Sequence, residues 1–367
     1  MKKTNFRFLI SGGGTGGHIF PAVSIANALR EMHPSCEILF VGALGRMEME
    51  RVPAAGYDIV GLPVQGFDRK NLFRNIPILW NLMKSMRKVR QVIKDFRPDV
   101  AIGVGGYASG AAMKVAARMG IPVLLQEQNG FAGVTNKLLK NDAAKICVAY
   151  EGMERFFPAE KIILTGNPVR QNLTQGSREE AYEHFSLSPE KKTLLIIGGS
   201  LGARTINNSV KKHLQQLAES GVQVIWQTGK FYIDDCRAEA EKTANPNLIV
   251  TDFVSRMDLA YAAADLVISR AGASSISELC LLGKPSVLVP SPNVAEDHQT
   301  HNAMALVRKN AAVLVKDADA ENDLIATALD LLSNAEKLEE LSANVLTLAE
   351  RNSARRIADE VMKLVKQ

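Results

Sequence analysis

A short apolar run that breaks into a glycine-rich turn occurs twice in this chain. The first copy covers residues 6–17 (FRFLISGGGTGG) and the second covers residues 193–203 (TLLIIGGSLGA). An apolar run of this length indicates a buried parallel strand, and glycines at its carboxyl end let backbone N–H groups approach a phosphate at the start of the next helix. Two copies predict an α/β fold in which two Rossmann-like domains face a common cleft.

The length and composition agree with two domains. The chain has 367 residues and 46% hydrophobic content, which is enough for two cores. It has no apolar stretch of the length that a membrane span needs, and the apolar run that follows its first three residues is too short for a signal peptide. We therefore expect a cytoplasmic protein whose four cysteines are reduced core residues. The formal net charge of +5 is too small to predict a nucleic-acid partner.

Strand and helix patterns alternate in both halves, as in successive βαβ units. In the first half the patterns predict strands at 6–11, 37–41, 100–104 and 123–126 and helices at 22–32, 77–96 and 110–119. In the second half they predict strands at 194–197, 223–227, 248–250, 266–269 and 286–289 and helices at 205–219 and 274–282. Turn residues near 165–168 predict domains at 1–166 and 167–350. The terminal helix, about 351–367, is expected to cross back onto the first domain.

The first glycine turn fits the dinucleotide pattern G-x-G-x-x-G through Gly12, Gly14 and Gly17. That pattern also requires an acidic residue at the end of the second strand, where it holds the ribose hydroxyls. No carboxylate appears there before Glu48, so a nicotinamide enzyme is disfavoured. The turn remains a phosphate-binding nest. His18 follows it directly, which favours a functional histidine over a structural one.

Two further features suggest a ligand with a diphosphate and a ribose. A third glycine cluster, at 103–110, also lies between a strand and a helix, and two nests on one sheet edge suit a diphosphate. The alternative is that these glycines only permit tight turns. Glu278 falls in the first turns of the helix at 274–282, where a carboxylate can accept hydrogen bonds from both ribose hydroxyls. The alternative there is a charge that stabilises the start of the helix.

Seven sequence motifs extend these features over nearly the whole chain. They are GGGTGGH at 12–18, GGYASG at 105–110, EQNGFAGVTNK at 127–137, GNPVR at 166–170, GGSLGAR at 198–204, GASSISE at 272–278 and DHQ at 297–299. In these motifs the chain resembles the MurG family of GT-B glycosyltransferases. The resemblance implies inverting transfer of N-acetylglucosamine from UDP-N-acetylglucosamine to the C4 hydroxyl of the muramyl sugar of lipid I. The acceptor is an undecaprenyl-diphosphate-linked muramyl-pentapeptide, and the product is lipid II of peptidoglycan synthesis.

The resemblance also implies roles for individual residues. The donor is expected to bind mainly on the second domain, with its ribose on Glu278. The residues expected to contact the donor are Thr15, Gly16, Gly17, Asn129, Arg170, Ser200, Val254, Glu278 and Gln299. The acceptor diphosphate is expected on the first domain, at Gly13, Gly14, His18, Gly105, Gly106 and Tyr107. A general base near the attacking hydroxyl helps such a displacement. His18 is the first candidate for it and Glu127 the second.

No tightly bound metal is expected. Asp317 and Asp319 match the D-x-D of many metal-dependent glycosyltransferases, but they precede a helical region and are interpreted as solvated loop charge. Asp297, with two histidines after it, is interpreted as a helix cap. Two alternatives to transfer stay open: a sugar-nucleotide epimerase of the same fold and a non-catalytic nucleotide-sugar sensor. Cell-wall synthesis proteins are further candidate partners.

Basic residues are concentrated between residues 68 and 97, nine of them against two aspartates. On a helical wheel, Leu79, Met83 and Val89 belong to the expected core stripe, while Trp80 falls on the other face. Apolar side chains among cations suit an anionic leaflet; the alternative is a solvated basic helix. The predicted membrane-contacting residues are Phe73, Ile76, Trp80, Lys84, Arg87 and Lys88. Together with the resemblance to the MurG family, this surface implies a peripheral protein on the cytoplasmic face of the bacterial inner membrane.

Overall fold

The computed structural model describes residues 5–65, 75–169, 171–199 and 201–365. The chain divides into two compact units: unit 1 is Met1–Val169 with Arg351–Gln367, and unit 2 is Arg170–Glu350. Each unit contains one parallel sheet with helices packed on it. The predicted class of two Rossmann-like α/β domains is therefore confirmed.

Unit 1 is built on a parallel sheet in the order β3-β2-β1-β4-β5-β6-β7. Its strands are β1 (Arg7–Ser11), β2 (Glu37–Ala43), β3 (Asp58–Leu62), β4 (Val100–Gly103), β5 (Val123–Glu127), β6 (Lys145–Val148) and β7 (Ile162–Leu164). Its helices are α1 (Gly16–Met32), α2 (Glu48–Ala54), α3 (Asn75–Phe96), α4 (Tyr107–Arg118), α5 (Val134–Leu139) and, from the end of the chain, α15 (Ser353–Lys363).

Unit 2 repeats the plan with the strand order β10-β9-β8-β11-β12-β13. The strands are β8 (Thr193–Ile197), β9 (Gln223–Gln227), β10 (Leu248–Thr251), β11 (Leu266–Ser269), β12 (Ser286–Leu288) and β13 (Val313–Leu314). The helices are α6 (Arg178–Phe185), α7 (Arg204–Lys212), α8 (Leu214–Glu219), α9 (Ile233–Glu241), α10 (Met257–Ala263), α11 (Ala273–Leu282), α12 (His298–Val307), α13 (Ala320–Ser333) and α14 (Ala335–Leu346).

Alternation along the strands of unit 1 fills a hydrophobic cluster on each face of its sheet. Leu9 of β1 packs with the cluster that contains residues of α3, α4 and α5. Its neighbours Phe8 and Ile10 point to the opposite face, where α1 and α15 pack. Ile357 and Val361 of α15 are completely buried there. The prediction that the terminal helix crosses back onto the first domain is confirmed.

Several element predictions were wrong in extent. Helix α1 begins at Gly16 rather than at residue 22, because tertiary position overrides the low helix propensity of its glycines and Pro21. The single helix predicted at 205–219 is two helices, α7 and α8, separated at His213, whose φ of −115° is not helical. Four strands, β3, β6, β7 and β13, were not predicted.

The four cysteines are buried free thiols, as predicted. Burial raises the pKa of Cys147 and Cys280 to about 12, so these thiols stay protonated and unreactive at neutral pH. Over the described ranges, none of the helices combines the length and the apolar character that crossing a membrane requires.

Candidate active site

The glycine turns lie where an open parallel sheet binds ligands. In unit 1 the chain order reverses between β1 and β4, which pair in register from Phe8 opposite Val100 to Ser11 opposite Gly103. In unit 2 the reversal lies between β8 and β11. Ligands of such sheets bind beyond the carboxyl ends of the strands at this switch point. Each unit therefore has its glycine-rich turns at the position that the topology favours.

The structure brings the first and third glycine clusters together. A Cβ on Gly106 would lie 2.5 Å from the carbonyl oxygen of Gly13, so the two turns touch through their backbones. Gly14, Gly105 and Gly106 have backbone φ values of +87°, +95° and +90°, which residues other than glycine rarely adopt. Tyr107 directly follows this contact as the first residue of α4, and its side chain is exposed.

His18 lies in the first turn of α1, and its ring is oriented by the turn that precedes it. Its Nδ1 is 3.1 Å from the carbonyl oxygen of Gly13 and 3.3 Å from the hydroxyl of Thr15. A carbonyl oxygen can only accept, so Nδ1 carries the proton and Nε2 of the neutral ring carries the lone pair. Nε2 lies against Gly105, where an added Cβ would be only 2.8 Å away. The geometry therefore gives His18 the tautomer that a base needs.

Glu127 is buried at the end of β5, and its carboxylate is occupied by its own loop. Oε1 accepts from the backbone and side-chain nitrogens of Asn129, at 3.2 and 3.4 Å. Oε2 accepts from the backbone N–H of Gly133 at 3.0 Å and from the side chain of Asn136 at 2.9 Å. Four donors on one carboxylate favour a role in holding this loop over a role in proton abstraction.

The GNPVR motif joins the same loop of unit 1 through Asn167. Its side chain accepts from Gln126 at 2.9 Å and donates to the carbonyl oxygen of Gln128 at 2.9 Å. Gln128 in turn donates to the carbonyl oxygen of Val104 at 2.8 Å. These bonds connect the motif to the end of β4. Arg170, the last residue of the motif, lies outside the described residues.

The second glycine turn, in unit 2, is held from the neighbouring strand β9. The side-chain nitrogen of Gln227 donates to the carbonyl oxygen of Gly199 at 2.9 Å and to that of Asp252 at 3.2 Å. Gly202 fits tightly against Thr228, the residue that follows β9, because a Cβ there would lie 2.0 Å from its carbonyl oxygen. Gln227 thus links the glycine turn to the loop that carries Val254. Ser200 lies outside the described residues.

Glu278 is only 6% exposed in the second turn of α11. Its Oε2 accepts from the hydroxyl of Tyr261, on α10, at 3.0 Å. Tyr261 is itself buried, so this bond fixes the orientation of the carboxylate from the interior of unit 2. An oriented, largely desolvated carboxylate suits a bidentate contact to two hydroxyls better than a solvated helix-end charge does.

Val254 lies in a loop of unit 2, and Gln299 lies at the start of α12 in the same unit. Val254 is buried, three residues beyond the end of β10. Gln299, in the first turn of α12, accepts from the backbone N–H of Ser291 at 2.9 Å. Asp297 directly precedes this helix, as predicted for a cap, but its carboxylate accepts from the hydroxyl of Thr300 at 2.7 Å.

The interpretation of Asp317 as solvated loop charge was wrong. Its carboxylate is ion-paired with Arg270, which directly follows β11, and also accepts from the hydroxyl of Thr205 at 3.1 Å. Arg270 further donates to the carbonyl oxygens of Val289 and Pro290, at 3.2 and 3.3 Å. The pair therefore ties together the ends of two strands and the start of α7. No local pattern reveals this contact, because the partners are distant in sequence.

Protein-family models match both halves of the chain. Residues 8–148 match the glycosyltransferase family 28 N-terminal domain, and residues 193–361 match the glycosyltransferase family 28 C-terminal domain. The chain belongs to glycosyltransferase family 28. Its two matched domains therefore make this chain a glycosyltransferase.

Among curated proteins, a Bacteroides fragilis protein is 64% identical over 98% of this chain and 96% of its own length. It is named UDP-N-acetylglucosamine–N-acetylmuramyl-(pentapeptide) pyrophosphoryl-undecaprenol N-acetylglucosamine transferase. The crystal structure of MurG from Acinetobacter baumannii superposes with a TM-score of 0.79 at 29% identity, covering 98% of this chain and 99% of that one. The resemblance to the MurG family is confirmed.

A UDP-N-acetylglucosamine 2-epimerase from Listeria monocytogenes, named as putative, shares the fold of this family 28 chain. Its TM-score is 0.70 at 14% identity, over 99% of this chain and 97% of that one. Identity at this level shows the fold alone. The shared fold explains why the donor-side motifs by themselves leave an epimerase open.

Three residues of the site were not predicted from sequence: Glu48, Gln227 and Tyr261. Glu48 lies too late in the chain to be the acidic residue of a dinucleotide site, yet it contacts the first glycine turn. A signal was present for it in Gly42, because a glycine inside a buried strand often marks a close approach of another group. Gln227 and Tyr261 have no comparable local signal.

Proposed function

We propose that this chain transfers N-acetylglucosamine from UDP-N-acetylglucosamine to lipid I and thereby forms lipid II. The observation that carries the proposal is the 64% identity, over nearly the full length of both chains, to a curated transferase named for this donor and acceptor. In this proposal unit 1 binds the acceptor diphosphate at the joined glycine turns. Unit 2 binds the donor, with Glu278 on the ribose.

The reaction is an inverting displacement at the anomeric carbon of the donor. The C4 hydroxyl oxygen of the acceptor forms the new bond to that carbon while the bond from carbon to the UDP oxygen breaks, and UDP leaves with the electron pair. Nε2 of His18 accepts the hydroxyl proton, since the bond from Nδ1 to Gly13 presents Nε2 as the basic nitrogen. Arg170 is suited by its fixed charge to stabilise the departing diphosphate.

The proposed reaction uses no tightly bound metal. The D-x-D segment is poorly suited to bind a metal, because the carboxylate of Asp317 is already engaged by Arg270 and Thr205. Stabilisation of the leaving group is then assigned to cationic side chains and to helix N-termini.

Labelled UDP-N-acetylglucosamine and a lipid I analogue provide the direct test of function. We expect label in a β-linked disaccharide and stoichiometric release of UDP. Conversion of UDP-N-acetylglucosamine to its 2-epimer, without transfer to the acceptor, would instead support the epimerase. Binding of the nucleotide sugar with no turnover of either kind would support a sensor.

We further propose that one face of unit 1 rests on an anionic membrane. Val89 and Ile93 turn one side of α3 into the core. On its outer side Trp80 is 55% exposed, and the ammonium of Lys84 lies 5.8 Å from the centre of the Trp80 ring. Arg87 is also exposed. Cations around an exposed indole suit the interface of an anionic leaflet, with roughly 1 kcal/mol per basic residue.

Other parts of this surface require corrections or additions. Met83, predicted in the core stripe, is 46% exposed. The ammonium of Lys88 donates to the carbonyl oxygen of Gly61 at 2.8 Å, so this cation contacts β3. Helix α5 packs in the same hydrophobic cluster as α3 and carries an exposed leucine, Leu138. Phe73 and the side chain of Ile76 lie outside what the structure describes.

Membrane binding is expected to weaken strongly in the triple variant Trp80→Ala, Lys84→Glu, Arg87→Glu. Phosphatidylglycerol vesicles should bind the wild type in a salt-sensitive way, and the variant at least about 10-fold less tightly, because it loses an indole and two cations. Turnover on a soluble short-chain acceptor should persist. The matched control is Lys230→Glu with Phe231→Ala, an exposed cation and ring of unit 2 that lie 5.1 Å apart. Equal vesicle binding by wild type and triple variant would refute this surface.

A further inference from the structure

A completely buried carboxylate lies behind the first glycine turn. Glu48 begins α2 and has no exposed surface. Carboxylates are almost never buried to this extent without partners, because losing water costs several kcal/mol unless hydrogen bonds replace it. Two backbone donors supply these bonds. Oε1 accepts from the N–H of Ala43 at 3.0 Å, and Oε2 accepts from the N–H of Gly14 at 2.9 Å.

Two glycines make the space for this side chain. A Cβ on Gly13 would lie 2.1 Å from Oε1 of Glu48, and a Cβ on Gly42 would lie 2.6 Å from its Cγ. Gly42 stands inside the buried strand β2, where a glycine costs roughly 0.5–1 kcal/mol relative to alanine. The backbone around Glu48 is thus shaped for a carboxylate at this place.

The bond from Glu48 ends on the same peptide group that orients His18. The carbonyl oxygen of the Gly13–Gly14 peptide accepts from Nδ1 of His18 at 3.1 Å. The N–H of that peptide donates to Glu48. A carboxylate that accepts from the N–H end of a peptide polarises its carbonyl, which then becomes a stronger acceptor at the other end. The three groups form one chain of hydrogen bonds from Glu48 to His18.

We propose that Glu48 is a positioning residue that acts on His18 through the Gly13–Gly14 peptide. It holds the peptide plane so that its carbonyl faces His18, which keeps the proton on Nδ1 and leaves Nε2 as the base. A carboxylate that orients a catalytic histidine directly is a common arrangement; here one peptide group stands between the two. This proposal rests on the proposed function, in which His18 accepts the proton of the acceptor hydroxyl.

The substitution Glu48→Gln tests the proposal with little change of shape. A glutamine amide has one acceptor oxygen, so in either orientation it loses the bond to Ala43 or the bond to Gly14, and it removes the charge. We expect turnover to fall roughly 10- to 100-fold, with UDP affinity by calorimetry within about twofold of wild type. Glu50→Gln, an exposed glutamate of the same helix, is the matched control and should behave as wild type.

Two measurements separate positioning from a general loss of structure. In a His18→Gln background, Glu48→Gln should cause no further loss of turnover, because it acts only through His18. Nitrogen NMR of labelled histidine, with the His18 signal assigned by its loss in His18→Gln, should show the Nδ1-protonated ring in wild type and a mixture of tautomers in Glu48→Gln. The tautomer measurement does not depend on transfer activity or on UDP binding.

The outcomes distinguish the failure of this inference from that of the proposed function. If wild type transfers sugar to lipid I and Glu48→Gln retains its turnover, or loses equally with and without His18, the relay is wrong. An unchanged His18 tautomer in Glu48→Gln overturns it as well. If wild type transfers no sugar, the proposed function fails, and the tautomer result still decides whether Glu48 orients His18.

Discussion

Replacing His18 by glutamine is expected to reduce turnover by on the order of 100-fold or more, the usual contribution of a general base. Nδ1 of His18 is fixed by Gly13, so the neutral ring presents Nε2 beside Gly105. Glutamine keeps polarity and approximate size but cannot take the proton. Single-turnover rates with a lipid I analogue, beside UDP affinity by calorimetry, should show a loss in the chemical step alone.

A matched histidine and the rival base provide the comparisons for this experiment. His184→Gln, at an exposed position of α6 in unit 2, should leave turnover at the wild-type value. Glu127→Gln should instead loosen the loop that its carboxylate holds through Gly133 and Asn136, and so raise the acceptor KM. If His18→Gln retains near-normal turnover while Glu127→Gln loses it without a change in KM, the two assignments are reversed.

The fold and the location of the glycine turns could be predicted because their signals are local. A buried parallel strand is a short apolar run, and the turn beyond it needs glycine wherever φ is positive, as at Gly14 and Gly105. Glu278 could be singled out for the same reason, from its place in the first turns of a helix after a strand. Such patterns need only a few neighbouring residues.

The contacts that orient the site could not be predicted, because they join distant segments. Tyr261 lies in an apolar helix and resembles any core aromatic until the fold brings its hydroxyl to Glu278 of α11. Asp317 resembled a solvated charge until the strand ends of unit 2 brought it to Arg270. Sequence identifies the groups that carry chemistry, whereas their supporting partners depend on packing in three dimensions.

The second large effect is expected at Glu278, where substitution should weaken UDP binding. If its carboxylate accepts from both ribose hydroxyls, each lost bond to a charged group costs roughly 1.5–3 kcal/mol, which is about 10-fold or more in Kd. Glu278→Ala should therefore weaken UDP binding by at least about 100-fold, and Glu278→Gln by less. Tyr261→Phe should cause a smaller loss, because it removes only the bond that orients Oε2.

A donor analogue without the two hydroxyls identifies the contact itself. Wild type should bind 2′,3′-dideoxy-UDP far more weakly than UDP, whereas Glu278→Ala should bind the two nearly equally, because the acceptor of the hydroxyl protons is gone. Circular dichroism of the variant should match that of wild type if the change is confined to the site. Two results would argue against the ribose assignment: wild-type UDP affinity in Glu278→Ala, or an equal loss for UDP and the dideoxy analogue. The second result would leave Glu278 as a residue that supports α11 through Tyr261 rather than one that binds the donor.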